Sequence, residues 1–133
     1  MLKMMSGLFS PGSKMKKVHR KWGTYEVLYS ADTYRVKRLV IDPGAALSNQ
    51  YHLHRKENWK VVKGKVKLKL INPEIDTSPY VINLEEGASW TIDKRTWHEA
   101  SNPTSEPAEV IEIWTGDQLS EEDIVRQERR NET

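Results

Sequence analysis

The run Asp42-Pro43-Gly44-Ala45-Ala46-Leu47-Ser48-Asn49-Gln50-Tyr51-His52-Leu53-His54-Arg55-Lys56-Glu57-Asn58-Trp59 opens on a tight-turn signal and closes on a strand-favouring aromatic. Asp-Pro-Gly breaks the preceding strand, because proline presets one turn dihedral and glycine admits the left-handed one. If the chain after it is extended, alternate side chains face one side, so Gln50, His52 and His54 share a face. Glu57 then returns from the next strand across a short turn. A second run, from Gly87 to Asn102, carries His98 on a distant hairpin. Three of the four histidines fall in these two runs. Nitrogen and oxygen donors converging from separate hairpins can surround one cation and leave positions open for substrate.

Outward from these runs the chain reads as short strands punctuated by turns. Residues 24–29 and 34–41 are rich in Val, Tyr, Ile and Leu, with Ser30-Ala31-Asp32-Thr33 as the turn between them. Lys65-Val66-Lys67-Leu68-Lys69-Leu70 alternates strictly, which predicts Val66, Leu68 and Leu70 in the core and the lysines in water. Residues 72–79 read as a hairpin tip, 80–84 as a strand, and Glu85-Glu86-Gly87 as a turn. Further strands are expected at 90–92, 98–101 and 109–114. Only residues 121–130 read as a helix, with Ser120 as N-cap and acidic residues in its first turn. Many short strands with one terminal helix predict an all-β antiparallel barrel or jelly roll. Residues 1–18 read as a flexible basic leader and 19–133 as a single domain.

Composition narrows the function classes. A chain of 133 residues forms one domain with one modest core. Charged residues make up 30% and no apolar run approaches a membrane span, so a membrane role is not expected. The net charge of +2 is too small to argue for nucleic acid, although Lys3, Lys14, Lys16, Lys17, Arg20 and Lys21 cluster near the start. That cluster reads as a solvated or subunit-contacting arm. Cysteine is absent, which excludes disulfides, thiolate ligands and cysteine nucleophiles and fits a cytoplasmic enzyme.

Two longer patterns carry a resemblance. Gly44, Gln50, His52, Glu57 and Gly64 meet G-x5-(H/Q)-x-H-x4-E-x6-G. Gly87, His98 and Asn102 meet G-x5-P-x-G-x2-H-x3-N, with Asp93 and Arg95 standing where that pattern has proline and glycine. These are the two motifs of the cupins, whose fold is a double-stranded β-helix, the cupin jelly-roll barrel. Arg20-Lys21-Trp22-Gly23-Thr24-Tyr25-Glu26, Tyr34-Arg35-Val36-Lys37-Arg38, the 50–59 run and Glu121-Glu122-Asp123-Ile124-Val125-Arg126 together resemble type II mannose-6-phosphate isomerase. That domain commonly ends bifunctional mannose-1-phosphate guanylyltransferase/isomerases. The likeness spans about residues 20–127. Past it, the family's acidic pair and Tyr-Gly-Arg are replaced by Gln127–Thr133, where Arg129 or Arg130 would have to supply the terminal arginine. Trp114 stands where the family tends to have glutamine.

The resemblance implies a metal-dependent interconversion of mannose 6-phosphate and fructose 6-phosphate through an enediolate. It implies Gln50, His52, Glu57 and His98 as metal ligands. Zn²⁺ suits two imidazoles, a carboxylate and an amide oxygen, and Mn²⁺, Co²⁺, Fe²⁺ and Ni²⁺ accept the same donors. His54 is expected to shuttle protons, its ordinary pKa lying near neutrality. Lys37 and Arg55 are expected to hold phosphate or polarise a sugar oxygen. Trp59 and Trp90 read as core packing, and Trp97 as a wall of the pocket. A homodimer paired through edge strands is expected by analogy. The rival readings are a non-catalytic sugar-binding cupin that keeps its metal, and a cupin enzyme with another substrate.

Overall fold

A computed structural model describes residues 16–127. The strands are β1 (Val18–Arg20), β2 (Gly23–Ser30), β3 (Tyr34–Ile41), β4 (Gln50–Tyr51), β5 (Arg55–Lys63), β6 (Val66–Asn72), β7 (Asp76–Leu84), β8 (Ser89–Ile92), β9 (Trp97–Ser101), β10 (Ala108–Gly116) and β11 (Val125–Arg126). They form two sheets, ordered β1-β2-β3-β10-β5-β8 and β11-β4-β9-β6-β7. Every neighbouring pair is antiparallel. The expected all-β jelly roll is what folds.

The alternation in β6 does what its sequence predicts: Val66, Leu68 and Leu70 are buried and Lys67 and Lys69 exposed. Those apolar side chains meet Leu39, Ile41, Val61, Leu84, Ala100 and Val110 between the sheets. Fully burying a Val or Leu side chain contributes about 1.5–3 kcal/mol, so this alternation sets the face of the sheet.

The position of the functional cavity follows from the register of β3, β10 and β5. Their inward side chains lie in rows across the three strands. Ile41 faces Ala108, and Leu39, Val110 and Val61 form the next row. Then the chemistry changes. Lys37, Glu112 and Trp59 make one row, and Arg35, Trp114 and Glu57 the next. One continuous sheet face therefore passes from apolar core to charged cavity floor without a break in pairing.

Two sequence expectations are corrected. The hairpin tip of 72–79 is shorter: only residues 73–75 turn, and β7 begins at Asp76. Pro79 lies inside β7, which an edge strand tolerates because its missing N–H is not needed on the open side. The expected helix over Glu121–Arg130 does not form in its described part, and residues 128–133 lie outside the described residues, as do residues 1–15 of the basic leader. Ser120 does start a turn, its Oγ accepting from the Glu122 N–H at 3.0 Å. The chain then extends, because longer-range partners replace helical ones. The Asp123 carboxylate accepts from the Leu53 and His54 N–H groups at 2.9 and 2.8 Å, and Gln127 N–H donates to the Asn49 carbonyl at 3.0 Å. A ten-residue helix is marginal without tertiary support, so pairing of β11 with β4 outweighs it.

Candidate metal centre

His52, Glu57 and His98 come together, with one ligand atom from each lying within 4.8 Å of the others. All three are buried. His52 Nε2 lies 3.1 Å from Glu57 Oε2, and His98 Nε2 lies 3.7 Å from Glu57 Oε1. The two imidazoles are tilted, with centroids 5.0 Å apart.

The outer ring nitrogens decide what the inner ones can do. His52 Nδ1 is 2.7 Å from the Asp123 carbonyl, and His98 Nδ1 is 2.9 Å from the Thr96 carbonyl. A carbonyl only accepts, so each Nδ1 carries the proton and each Nε2 keeps its lone pair. Two imidazole lone pairs and a carboxylate are thus turned toward one another, an arrangement a shared cation relieves. The donor set fits a divalent metal. Gln50 stands opposite His98 in the β4–β9 pair and lines the cavity together with Glu57 and His98, whereas His52 lies outside its lining with Arg55 against its Nε2.

One cation of the chain already reaches this cluster. Arg55 Nε donates to Glu57 Oε2 at 2.8 Å, and Arg55 Nη2 lies 3.2 Å from His52 Nε2. The guanidinium also lies over the Trp114 ring, 3.4 Å from its centroid, and its Nη1 donates to the Ser120 carbonyl at 3.1 Å. Arg55 and a bound metal would share the Glu57 and His52 lone pairs. Trp59 Nε1 steadies the other carboxylate oxygen at 2.9 Å. Burial alone would raise the Glu57 carboxyl, but the His52 and His98 imidazoles and the Arg55 guanidinium around it outweigh burial and hold it well below the usual range. Burial lowers His98 from its ordinary value, which favours the neutral ligand form.

The remaining expected residues are placed differently. Lys37 is buried at the cavity, its Nζ 3.3 Å from both Glu121 carboxylate oxygens and over the Tyr25 and Trp114 rings at 4.0 and 4.4 Å. His54 does not share the ligands' face. β4 ends at Tyr51 and the chain bends at residues 53–54, turning this ring outward beside Asp117 with Nδ1···Oδ1 at 3.9 Å. Its side chain is 40% exposed and does not line the cavity. Trp97 packs against Tyr51 with centroids 5.1 Å apart and also lies outside the cavity lining. Trp59 is buried in the core as expected, yet its N–H serves the site as well.

Sequence reasoning missed Glu112, a buried carboxyl in the cavity that accepts from Trp114 Nε1 at 2.9 Å. Burial, with the charge of Glu57 adding, pushes it well above the usual carboxylate range. The signal was present: Ala108, Val110, Glu112 and Trp114 alternate inward, and a carboxylate in that series must face either core or cavity. Asn102, the last residue of the second motif, closes the frame rather than joining the cavity. Its Nδ2 donates to the Ile41 and Glu106 carbonyls at 3.0 and 2.7 Å, and its backbone carbonyl accepts from Gly44 at 3.0 Å. Gly44 and Gly87, which open the two motifs, both take positive φ, +72° and +91°, as tight turns before ligand strands require.

A family model described as Mannose-6-phosphate isomerase C-terminal matches residues 11–129. The chain belongs to that family. A mannose-1-phosphate guanylyltransferase of Salmonella muenchen is 38% identical over 118 residues, covering 89% of this chain and 24% of that protein. The xanthan biosynthesis protein XanB of Xanthomonas campestris is 39% identical over 111 residues, covering 84% of this chain and 22% of its own. The chain therefore spans about a quarter of the length of these curated relatives. Among solved structures, the capsular polysaccharide assembling protein CapF of Staphylococcus aureus superposes with a TM-score of 0.75 at 16% identity, over 87% of this chain and 35% of that one. Oxalate decarboxylase of Lactobacillus farciminis gives 0.72 at 19%, over 84% and 33%. These likenesses establish the cupin fold alone. Among the described residues no helix is long and apolar enough to cross a membrane.

Proposed function

We propose that this family member is a metal-dependent sugar-phosphate isomerase interconverting mannose 6-phosphate and fructose 6-phosphate. The observation that carries this reading is the His52–Glu57–His98 set, with both Nδ1 atoms tied to carbonyls, whose Glu57 and His98 line a cavity that also holds Lys37 and Glu112. Aldose–ketose isomerisation moves a proton between neighbouring carbons while negative charge develops on the sugar oxygens. A divalent metal held by His52, Glu57, His98 and Gln50 supplies Lewis-acid stabilisation of that charge, and Zn²⁺ suits these donors best. The chain's own residues bind and orient. Arg55 fixes Glu57, Trp59 and Trp114 wall the cavity against water, and Lys37 offers a positive charge above them. Lys37 and Glu112, both buried in the cavity, can hold or move a proton there, whereas His54 faces away.

A second reading is favoured by one observation. Arg55 competes for the lone pairs of Glu57 and His52, which would weaken the Lewis-acid action of a bound metal and leave a cupin that keeps its metal and binds a sugar without turning it over. Turnover separates the two. Metal-free protein is refilled separately with Zn²⁺, Mn²⁺, Co²⁺ and Ni²⁺ and assayed for fructose 6-phosphate formation. Turnover restored by one of these metals is expected; none with any of them, in protein that demonstrably binds the ion, overturns the isomerase reading.

A further inference from the structure

The cavity has a volume of about 510 Å³, within the range of roughly 300–1,000 Å³ that holds small ligands. Its two ends differ in charge balance. Around the ligands each charge is matched. Buried Glu57 is paired with Arg55 at 2.8 Å, and the exposed carboxylate of Glu121 is held by Lys37 at 3.3 Å and Arg35 at 3.1 Å. The Glu112 carboxyl is buried beside Trp114 and Lys37.

At the mouth the matching stops. Arg20 at the end of β1, Lys21 in the turn after it and Arg126 in β11 all line the cavity, and none has a carboxylate partner among the described residues. Arg20 reaches only its neighbour's carbonyl at 3.1 Å and lies 5.4 Å over the Tyr25 ring. These three residues come from opposite ends of the described chain and from different sheets. Like charges gathered at one opening repel unless an anion joins them, and a low-dielectric cleft beneath them focuses their field.

We propose that Arg20, Lys21 and Arg126 form an anion subsite that takes the phosphate of a phosphorylated sugar. The sugar's carbonyl end then lies toward His52, Glu57 and His98; that orientation rests on the isomerase reading above. A phosphate monoester carries about −1.5 to −2 charges near neutral pH, which matches a three-cation mouth. Arginine forks grip two phosphate oxygens at once and lysine adds a mobile point charge. Lys37 and Arg55 are less free to hold the phosphate, since both are buried and already engaged. Arg55 already directs Nε, Nη1 and Nη2 to Glu57, Ser120 and His52, and Lys37 is committed to Glu121 between two aromatic rings.

Calorimetric titration of the full chain tests this, with mannose 6-phosphate, unphosphorylated mannose and inorganic phosphate as separate probes. The wild type is expected to bind mannose 6-phosphate at least about tenfold more tightly than mannose, with inorganic phosphate competing. In the double variant Lys21→Gln/Arg126→Gln that preference should fall by about tenfold or more, with mannose binding and metal content unchanged. Arg126→Lys should retain part of it, and added salt should erode the wild-type preference. Both substituted side chains are exposed, so folding is not at risk. Equal binding of mannose 6-phosphate by the double variant and wild type overturns the subsite, as does a wild type that does not distinguish the phosphorylated sugar. Preference lost without any wild-type turnover keeps the subsite and removes the isomerase. Turnover whose KM ignores both substitutions does the reverse.

Discussion

The two histidines of the centre are held by the same kind of bond from very different places. His98 Nδ1 is tied to the carbonyl of Thr96, two residues back in its own hairpin. His52 Nδ1 is tied to the carbonyl of Asp123, seventy-one residues on, in the segment that follows β10. The first half-site is complete within one local turn. The second is completed only when the C-terminal segment docks, through the Asp123 carboxylate on the 53–54 bend, the Ser120 carbonyl on Arg55, and β11 on β4. A motif can therefore pick out a residue of the cluster while the bond that aims it lies elsewhere in the chain. The hairpin half should be robust to distant change, and the His52 half should not.

Glu57 belongs to both halves, so its loss should be the largest effect. Glu57→Gln removes the anion that Arg55 neutralises and leaves a buried guanidinium without its partner, which costs about 3–5 kcal/mol. Denaturant unfolding should show that loss, together with metal binding weakened beyond about a hundredfold. The contrast between halves is sharpest in the next pair. Asp123→Ala keeps the carbonyl that His52 uses but removes the carboxylate that docks it on the 53–54 bend, so metal affinity should fall about tenfold. Thr96→Ala, which keeps the backbone carbonyl that His98 uses, should change it by less than about threefold. Equal losses in the two variants would mean that the remote anchor has no special part in the centre.

Acid should weaken both halves through the ligands. Metal binding needs neutral imidazole, so affinity should fall with pH as protons compete at Nε2. His98 is lowered from 6.5 by burial. In the metal-free chain it therefore contributes stability that is full above pH 6.5 and is lost as pH falls through its lower folded value. Unfolding free energies measured on metal-free protein across that window should decline toward acid, and His98→Gln should flatten the decline. The smallest effect is expected at Arg95, whose φ of +61° is taken where the motif has glycine. Left-handed backbone costs a residue with a Cβ about 1–2 kcal/mol, and glycine returns part of that as unfolded-chain entropy. Arg95→Gly should raise stability by about 1 kcal/mol or less in chemical denaturation, with no change in metal affinity.

Much of the frame was legible because it is local. Strict alternation placed Val66, Leu68 and Leu70 inside, and motif spacing picked out His52, Glu57 and His98 as a set that the fold does assemble. Arg95 stands where the second motif has glycine, and it carries the positive φ that glycine readily takes. What was not legible depends on partners far along the chain. Residues 121–127 have the composition of a helix start, and nothing within them tells that Asp123 will instead cap residues 53–54. The same bend turns His54 away, so period-two reasoning failed where the strand ended after two residues. Glu112 could have been found from its inward parity in β10. The mouth cations Arg20, Lys21 and Arg126 could not, because their proximity exists only in the folded barrel.

The central claim is that His52, Glu57 and His98 form one divalent-metal site whose His52 half is remote-anchored. Metal-free wild type, His52→Ala and Asp123→Ala are dialysed against Zn²⁺ at fixed free concentration, and bound metal is counted by elemental analysis. One ion per wild-type chain, none in His52→Ala and partial occupancy in Asp123→Ala is the predicted result. Unchanged stoichiometric metal in His52→Ala would contradict it.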